Sequence, residues 1–226
     1  MSPDALLEEL EADYAWRQGE ILSLQNSAAV VDEKMRRHYS RALVLLVYAH
    51  VEGYAKFALL LYVRVVNEAG LRCADVKEAI VAASLSDVFG ALRNNSAKSD
   101  HFRSIEDARI QILHREQEFV RSLGQLMDKP AFIPDAAIDT ENNLWAIVLK
   151  KNLFRLGVPF AHFDEIWSSL DVLVNMRNSI AHGSASTDIS WKAYLKMRDV
   201  AFGVMSGLQR SIFSAADLKF YRRLQA

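Results

Sequence analysis

The stretch from Asp32 to Glu68 constrains the fold most, because it reads as one long helix that is apolar on nearly every side. Asp32 is a suitable N-cap, and Gly70 follows as a stop. Residues 42–49 are continuously apolar, but a membrane span needs about 20 such residues, and charged residues interrupt the run further on. We therefore expect no membrane span and place this helix at the centre of a helical bundle.

The remaining segments also predict helices, and no alternating strand pattern of any length is present. The chain has only 9 Gly and 4 Pro, which argues against a turn-rich β fold. We predict one all-α domain over residues 1–226, in which a helical segment at about 75–135 is a candidate insertion. The other predicted helices span 4–28, 75–93 (one helix, or a pair broken at Ser84 to Ser86), 103–127, 140–157 (Thr140 as N-cap), 162–182 and 189–214 (Asp188 as cap).

Charge and cysteine content limit the partners and the compartment. The formal net charge is −1, so any nucleic-acid binding depends on a local concentration of positive charge. The single cysteine excludes an internal disulfide and fits a reducing compartment. With no apolar leader near the N-terminus, we expect a cytoplasmic protein.

No zinc-type, phosphate-loop or nucleophile-elbow motif is present, so we expect no metal ion or cofactor.

An arginine interrupts the apolar stripe of the helix predicted over 162–182. The stripe contains Phe163, Ile166, Trp167, Leu170, Leu173, Val174 and Ala181, and Arg177 falls in its middle. A guanidinium there must reach water, an anion or a partner surface. His182 ends the helix before Gly183, where the helix dipole favours the protonated imidazole.

Arg177 and His182 together carry the groups needed to cleave a phosphodiester bond. His182 would transfer protons, Arg177 would hold the phosphate oxygens, and Asn178 would orient the histidine or bind phosphate. The spacing alone is weak evidence, because Arg109 and His114 repeat it on what reads as a solvated helix face. The alternative is structural: Arg177 bonds helix-terminal carbonyls or an acid, and His182 simply caps the helix.

The stretch 177–183, Arg-Asn-Ser-Ile-Ala-His-Gly, resembles the Arg-x4-6-His signature of the HEPN superfamily. The stretch from 140–144 through 156–157 to 173–174, and segment 48–57, resemble a bacterial branch of that superfamily found with toxin–antitoxin and defence systems, so the likeness spans about residues 32–210. The resemblance implies an all-helical dimer whose two Arg/His pairs meet at the interface and cleave RNA without a metal. HEPN toxins that are regulated by nucleotidyl transfer carry His-x-Tyr, whereas Ser184 stands at that position here.

Helix geometry adds a reason to expect a homodimer. Five residues correspond to 500°, so the side chains of Arg177 and His182 point about 140° apart on an ideal helix. Either the helix loosens at its end, or a second chain completes the site.

A polar line runs along the central helix, and it has two readings. Arg37, Arg41, Tyr48, Glu52 and Lys56 are spaced to share one face. The simpler reading is a solvated edge. In the other, Tyr48, Glu52 and Lys56 support the Arg177 site, and the basic residues Lys34, Arg36, Arg37 and Arg41 bind RNA phosphates.

The sequence thus predicts a metal-independent endoribonuclease that acts through the RNA 2′-OH and leaves a 2′,3′-cyclic phosphate. We expect it to be the toxin of a toxin–antitoxin pair, with an antitoxin protein as partner, or part of a defence system. The alternatives are a non-catalytic helical module that binds RNA or protein, and a purely structural dimer.

Overall fold

The computed structural model describes residues 1–94, 96, 98–164, 166–183 and 189–223. Within these ranges the chain forms eight α-helices, two isolated β-bridges and no strand, which confirms the all-α prediction. The helices are α1 (Pro3–Ala29), α2 (Glu33–Glu68), α3 (Glu78–Ser84), α4 (Ser86–Arg93), α5 (Ala108–Asp128), α6 (Ala146–Arg155), α7 (Trp167–Ala181) and α8 (Trp191–Asp217).

Helix α2 is the centre of the bundle, as its all-round apolarity predicts. Asp32 caps its first turn by accepting a hydrogen bond from the Met35 N–H. Helices α1, α7 and α8 pack along it and bury its apolar residues. By length and hydropathy α2 is also long and apolar enough to cross a membrane. Its burial under three neighbouring helices accounts for the same composition.

Helices α2 and α8 run parallel, and this places their first turns at the same end of the molecule. Arg36 and Trp191 line a common cleft at that end. At the other end Tyr62 packs edge-on against Tyr221, which follows α8, with ring centroids 6.4 Å apart. Helix α1 runs antiparallel to α2, so that its N-terminal ammonium pairs with Glu68.

Helices α3, α4 and α5 belong to the region predicted as an insertion. Of the two readings of 75–93, the structure has the broken pair, because α3 ends at Ser84 and α4 begins at Ser86. Buried Gln111 on α5 holds the preceding loop by accepting from Ser99 and donating to the carbonyls of Phe102 and Ile105. Whether this segment is an insertion into a family core stays a prediction.

Several predicted helix starts are wrong. Helix α5 begins at Ala108 with Asp107 as its cap, and α7 begins at Trp167 after a short 3-10 turn. Helix α8 begins at Trp191, with Ser190 accepting from the Ala193 N–H. Asp188, predicted as that cap, and Ser184 lie outside the described residues.

The predicted N-cap Thr140 is also wrong. Residues 139–145 form a loop in which Glu141 (φ 49°) and Asn142 (φ 65°) adopt left-handed conformations, and α6 begins only at Ala146. Its first turn is capped from another helix, because the Asp171 carboxylate of α7 accepts from the Ala146 N–H at 2.8 Å. This loop lies beside Arg177 and shapes the site described next.

Candidate active site

The end of α7 differs from the sequence prediction in one residue of its stripe. Phe163, Trp167, Leu170, Leu173 and Val174 are buried, as predicted, but Ala181 is exposed. Arg177 is half-buried in line with the stripe. His182 is the C-cap, and Gly183 follows with φ 76°, the left-handed geometry typical of a residue that ends a helix.

Arg177 is held by neutral groups only. Its Nη1 donates to Oδ1 of Asn143 at 3.1 Å and to Oδ1 of Asn178 at 2.8 Å. Its guanidinium carbon lies 5.0 Å from the centre of the Tyr48 ring, in cation–π contact. In the described part of the chain, no carboxylate forms an ion pair with it. The guanidinium is therefore fixed in position while its charge remains available to an anion.

Tyr48 forms the floor under Arg177 and is held in place by hydrogen bonds. It is 2% exposed, and its hydroxyl accepts from the Leu144 N–H at 2.9 Å. Burial raises the pKa of Tyr48, while the Leu144 bond lowers it, the nearby Glu52 carboxylate raises it and the Arg177 charge lowers it. With its pKa raised, Tyr48 stays a neutral hydroxyl. Tyr48 therefore contacts Arg177 directly, whereas Glu52 acts on Tyr48, and its predicted support of Arg177 stays a prediction.

The loop 139–145 presents Asn143 to Arg177, a partner that sequence reasoning missed. Asn152 anchors the start of the loop by accepting from the Asp139 N–H and donating to the Asp139 carbonyl. Asp171 anchors its end at Ala146, and Tyr48 binds its centre. The only sequence signal was the likeness of 140–144 to the bacterial HEPN branch, which did not single out Asn143.

His182 does not meet Arg177 within the chain. Its side chain is exposed, and no hydrogen bond links the two side chains in the described structure. The helix stays regular to its cap, with the His182 N–H bonded to the Asn178 carbonyl at 3.0 Å. The loosened helix end considered from the sequence is therefore absent, and the two side chains diverge as the ideal spacing predicts.

The structure separates the remaining predicted residues. Arg36 and Arg37 line a cleft with Trp191 and Lys192, whereas Lys34 is exposed and is not among the lining residues. Arg41 is half-buried one turn beyond Arg37. Lys56 is exposed one turn beyond Glu52. The predicted line of polar residues is thus divided into a basic end and Tyr48, which lies under Arg177; the supporting roles of Glu52 and Lys56 stay predictions.

The second Arg-x4-His spacing has different surroundings. Arg109 is exposed, and His114 stacks on His101 with ring centroids 5.2 Å apart, near Glu118. Both residues lie on α5, which continues to Asp128. Among the described residues, no group of three His, Cys, Asp or Glu side chains is arranged to hold a metal ion.

Comparison with known proteins gives one match. A sequence model of the family described as RiboL-PSP-HEPN matches residues 12–213. The match includes the site residues on α2, α7 and the 139–145 loop. No curated protein and no solved structure matches the chain.

Proposed function

Because the chain belongs to the RiboL-PSP-HEPN family, we propose that it is an endoribonuclease that cleaves RNA with Arg177 and His182 and without a metal ion. The observation that carries the proposal is the state of Arg177. It is fixed by two amide oxygens and an aromatic face, and no described carboxylate neutralises it. A guanidinium held in this way is arranged to receive a phosphate.

The reaction uses the nucleophile that RNA itself carries. The 2′-oxygen attacks the phosphorus and the bond from phosphorus to the 5′-oxygen breaks, leaving a 2′,3′-cyclic phosphate and a 5′-hydroxyl. One proton leaves the 2′-OH and another reaches the departing 5′-oxygen, both through the His182 imidazole or its second copy. Arg177 stabilises the charge that builds on the non-bridging oxygens, while Asn178 fixes the Arg177 side chain.

A second copy of the chain supplies the histidine that Arg177 lacks within its own chain. Around α7, His182 lies about 20° from Asn175 and about 80° from Val172, so the three residues lie on the same half of the helix. Val172 is 47% exposed, and Ile147, next to the Ala146–Asp171 contact, is 58% exposed. A homodimer formed through this face would bury both apolar side chains and place His182 at the interface.

We further propose that the enzyme acts as a toxin, restrained by a partner protein, in a toxin–antitoxin or defence system. The support is the likeness of segments 48–57 and 140–144 to HEPN proteins of such systems. Expression should then arrest growth, and His182→Ala should relieve the arrest. The second candidate, a non-catalytic RNA- or protein-binding module, is favoured by the separation of His182 from Arg177 within one chain.

The test is cleavage of a labelled single-stranded RNA by purified protein in EDTA, comparing wild type with Arg177→Ala and His182→Ala. We expect wild-type cleavage, and a loss of about 100-fold or more in each variant. The chain provides its own control, because Arg109→Ala and His114→Ala remove the second copy of the motif and should leave the rate unchanged. Cleavage that survives both Arg177→Ala and His182→Ala would refute the assignment. Absence of cleavage by every protein, with RNA binding retained, would favour the binding module.

A further inference from the structure

A basic cleft with an aromatic wall lies between the first turns of α2 and α8. Its volume is about 340 Å³, and it is lined by Glu33, Arg36, Arg37, Ser190, Trp191 and Lys192. Three cationic side chains and one carboxylate give the lining a net positive charge, in a chain whose net charge is −1. We propose that this cleft is a subsite for single-stranded RNA, which binds a nucleotide flanking the bond that Arg177 and His182 cleave.

The buried donor of Arg36 points to an anionic ligand. Arg36 donates through Nη2 to the Val31 carbonyl at 2.8 Å, which fixes the side chain. Its Nε is buried and has no hydrogen-bond acceptor among the described residues. A buried donor without an acceptor is unfavourable, so a phosphate oxygen that reaches it gains more than it would at an exposed arginine.

Trp191 gives the cleft a surface for a base. The indole is half-buried and packs on Tyr194 with ring centroids 5.0 Å apart, which limits its freedom to move. A fixed aromatic ring beside cationic groups is the combination by which proteins bind single-stranded nucleic acid, since bases stack on the ring and phosphates meet the charges. Any of the four bases could stack there, because stacking does not depend on the identity of the base.

The cleft and the Arg177 site lie on the same side of α2. Arg37 and Tyr48 are eleven residues apart, which corresponds to 1100°, so the directions of their side chains differ by only about 20°. The same separation is about 16 Å along the helix axis. The guanidinium of Arg177 packs over the Tyr48 ring, and Arg37 lines the cleft. A short extended strand can therefore contact both positions along one face.

This inference rests on the proposed function, because it concerns the substrate of the same site. The experiment therefore measures binding in a protein that does not cleave. The probe is a fluorescent single-stranded oligoribonucleotide of mixed sequence, titrated with His182→Ala protein and followed by anisotropy. In that background, Trp191→Ala should weaken binding about fivefold or more. Arg37→Ala should weaken it as well and should reduce the salt dependence, by about 0.7 in the slope of log K against log salt.

Two matched controls use the same residue types elsewhere. Trp16 is 51% exposed on α1, so Trp16→Ala removes an accessible indole outside the cleft. Arg64 is also on α2, and its side chain is 52% exposed and paired with Glu9, as that of Arg37 is 52% exposed and paired with Glu33. Neither Trp16→Ala nor Arg64→Ala should change the affinity.

Equal affinity in the Trp191, Arg37 and control variants would overturn the subsite, while wild-type cleavage would still support the proposed function. Failure of the His182→Ala protein to bind the probe would also overturn it. If Trp191→Ala unfolds the protein, the exposed Arg37→Ala variant decides between these outcomes. If RNA cleavage instead survives Arg177→Ala and His182→Ala while the cleft variants weaken binding as expected, the proposed chemistry is refuted and the RNA-binding cleft remains.

Discussion

At the scale of single residues, the neutral partners of Arg177 are the most informative feature of the site. Asn143→Asp keeps the size of the side chain but places a carboxylate where the amide oxygen accepts from Nη1 at 3.1 Å. The new ion pair competes with the phosphate for the guanidinium. We expect the cleavage rate to fall about tenfold or more, measured as single-turnover cleavage of the labelled RNA.

The neighbouring residue provides a matched control for charge. Asn142 is exposed and has φ 65°, a conformation that Asp tolerates nearly as well as Asn. Asn142→Asp thus adds the same charge one residue away without contacting Arg177. Equal losses in the two variants would show that charge near the loop matters and the Asn143 contact does not.

His50 predicts a pH dependence of stability that is independent of the site. It is 4% exposed, and burial lowers its pKa, with Arg17 acting in the same direction and Glu20 and Asp13 opposing. Its Nε2 lies 2.9 Å from a Glu20 oxygen, which raises the pKa, but burial lowers the pKa by more. In the unfolded chain His50 titrates near pH 6.5.

Above about pH 6.5 the histidine is neutral in both states and contributes no pH dependence. Below it the unfolded chain takes up the proton first, so the free energy of unfolding falls, by at most about 1.4 kcal/mol per pH unit. Replacement His50→Gln should remove this part of the decline, as measured by urea unfolding at pH 7.5, 6.5 and 5.5. Parallel declines in wild type and variant would contradict the assignment.

The sequence predicted part of the site at this scale. Arg177 stood out because a permanent charge in an apolar stripe needs an explanation, and Tyr48 and Glu52 shared its expected side of α2. Asn143 could not be predicted, because its contact spans 34 residues and depends on two consecutive left-handed residues, Glu141 and Asn142. The Arg-x4-His motif did not predict a contact either, since the structure shows no hydrogen bond between the Arg177 and His182 side chains in its described residues.

At the scale of elements, the junction between α6 and α7 positions the loop that carries Asn143. The Asp171 carboxylate caps α6, so Asp171→Ala leaves the Ala146 N–H without its acceptor. We expect a loss of about 1 kcal/mol in the free energy of unfolding, the usual value for a removed N-cap. Asp171→Asn keeps an oxygen acceptor and should lose less in the same denaturant titration. A larger loss in Asp171→Asn than in Asp171→Ala would contradict the capping role.

A cap in the local sequence can predict where a helix starts, although α5 and α8 also have local caps, Asp107 and Ser190, that the sequence reasoning did not single out. Helix α2 begins one residue after the predicted cap Asp32. Helix α6 begins six residues after the predicted cap Thr140, because its cap comes from α7. A cap supplied from another helix leaves no signal in the local sequence, so the loop that builds the site was predicted as helix.

At the scale of the whole molecule, the helical bundle could be predicted from the sequence. The proposed second subunit is inferred from the exposed side of α7 that includes Val172. Val172→Asp places a charge on the outer side of α7 and should convert the proposed homodimer to a monomer, as measured by light scattering at micromolar concentration. RNA cleavage should fall with it, because the second His182 is lost. Val120, which is 70% exposed on α5, provides the control.

Val120→Asp introduces the same charge at another exposed valine and should leave both the mass and the cleavage rate unchanged. A wild-type protein that is monomeric while cleaving RNA would contradict the dimeric site. The sequence pointed to a dimer through the 140° between Arg177 and His182 and through the resemblance to the HEPN superfamily. It did not indicate which face of α7 would meet the partner, because exposure depends on how α2 and α8 cover the helix.

The measurement that tests the central claim most directly uses an RNA with one 2′-deoxy nucleotide at the mapped cleavage position. The proposed chemistry needs the 2′-hydroxyl as nucleophile, so the protein should bind this RNA and leave that position uncut. The unmodified RNA should give a 2′,3′-cyclic phosphate and a 5′-hydroxyl. Cleavage of the deoxy position at the normal rate, or products ending in a 3′-hydroxyl and a 5′-phosphate, would contradict the account.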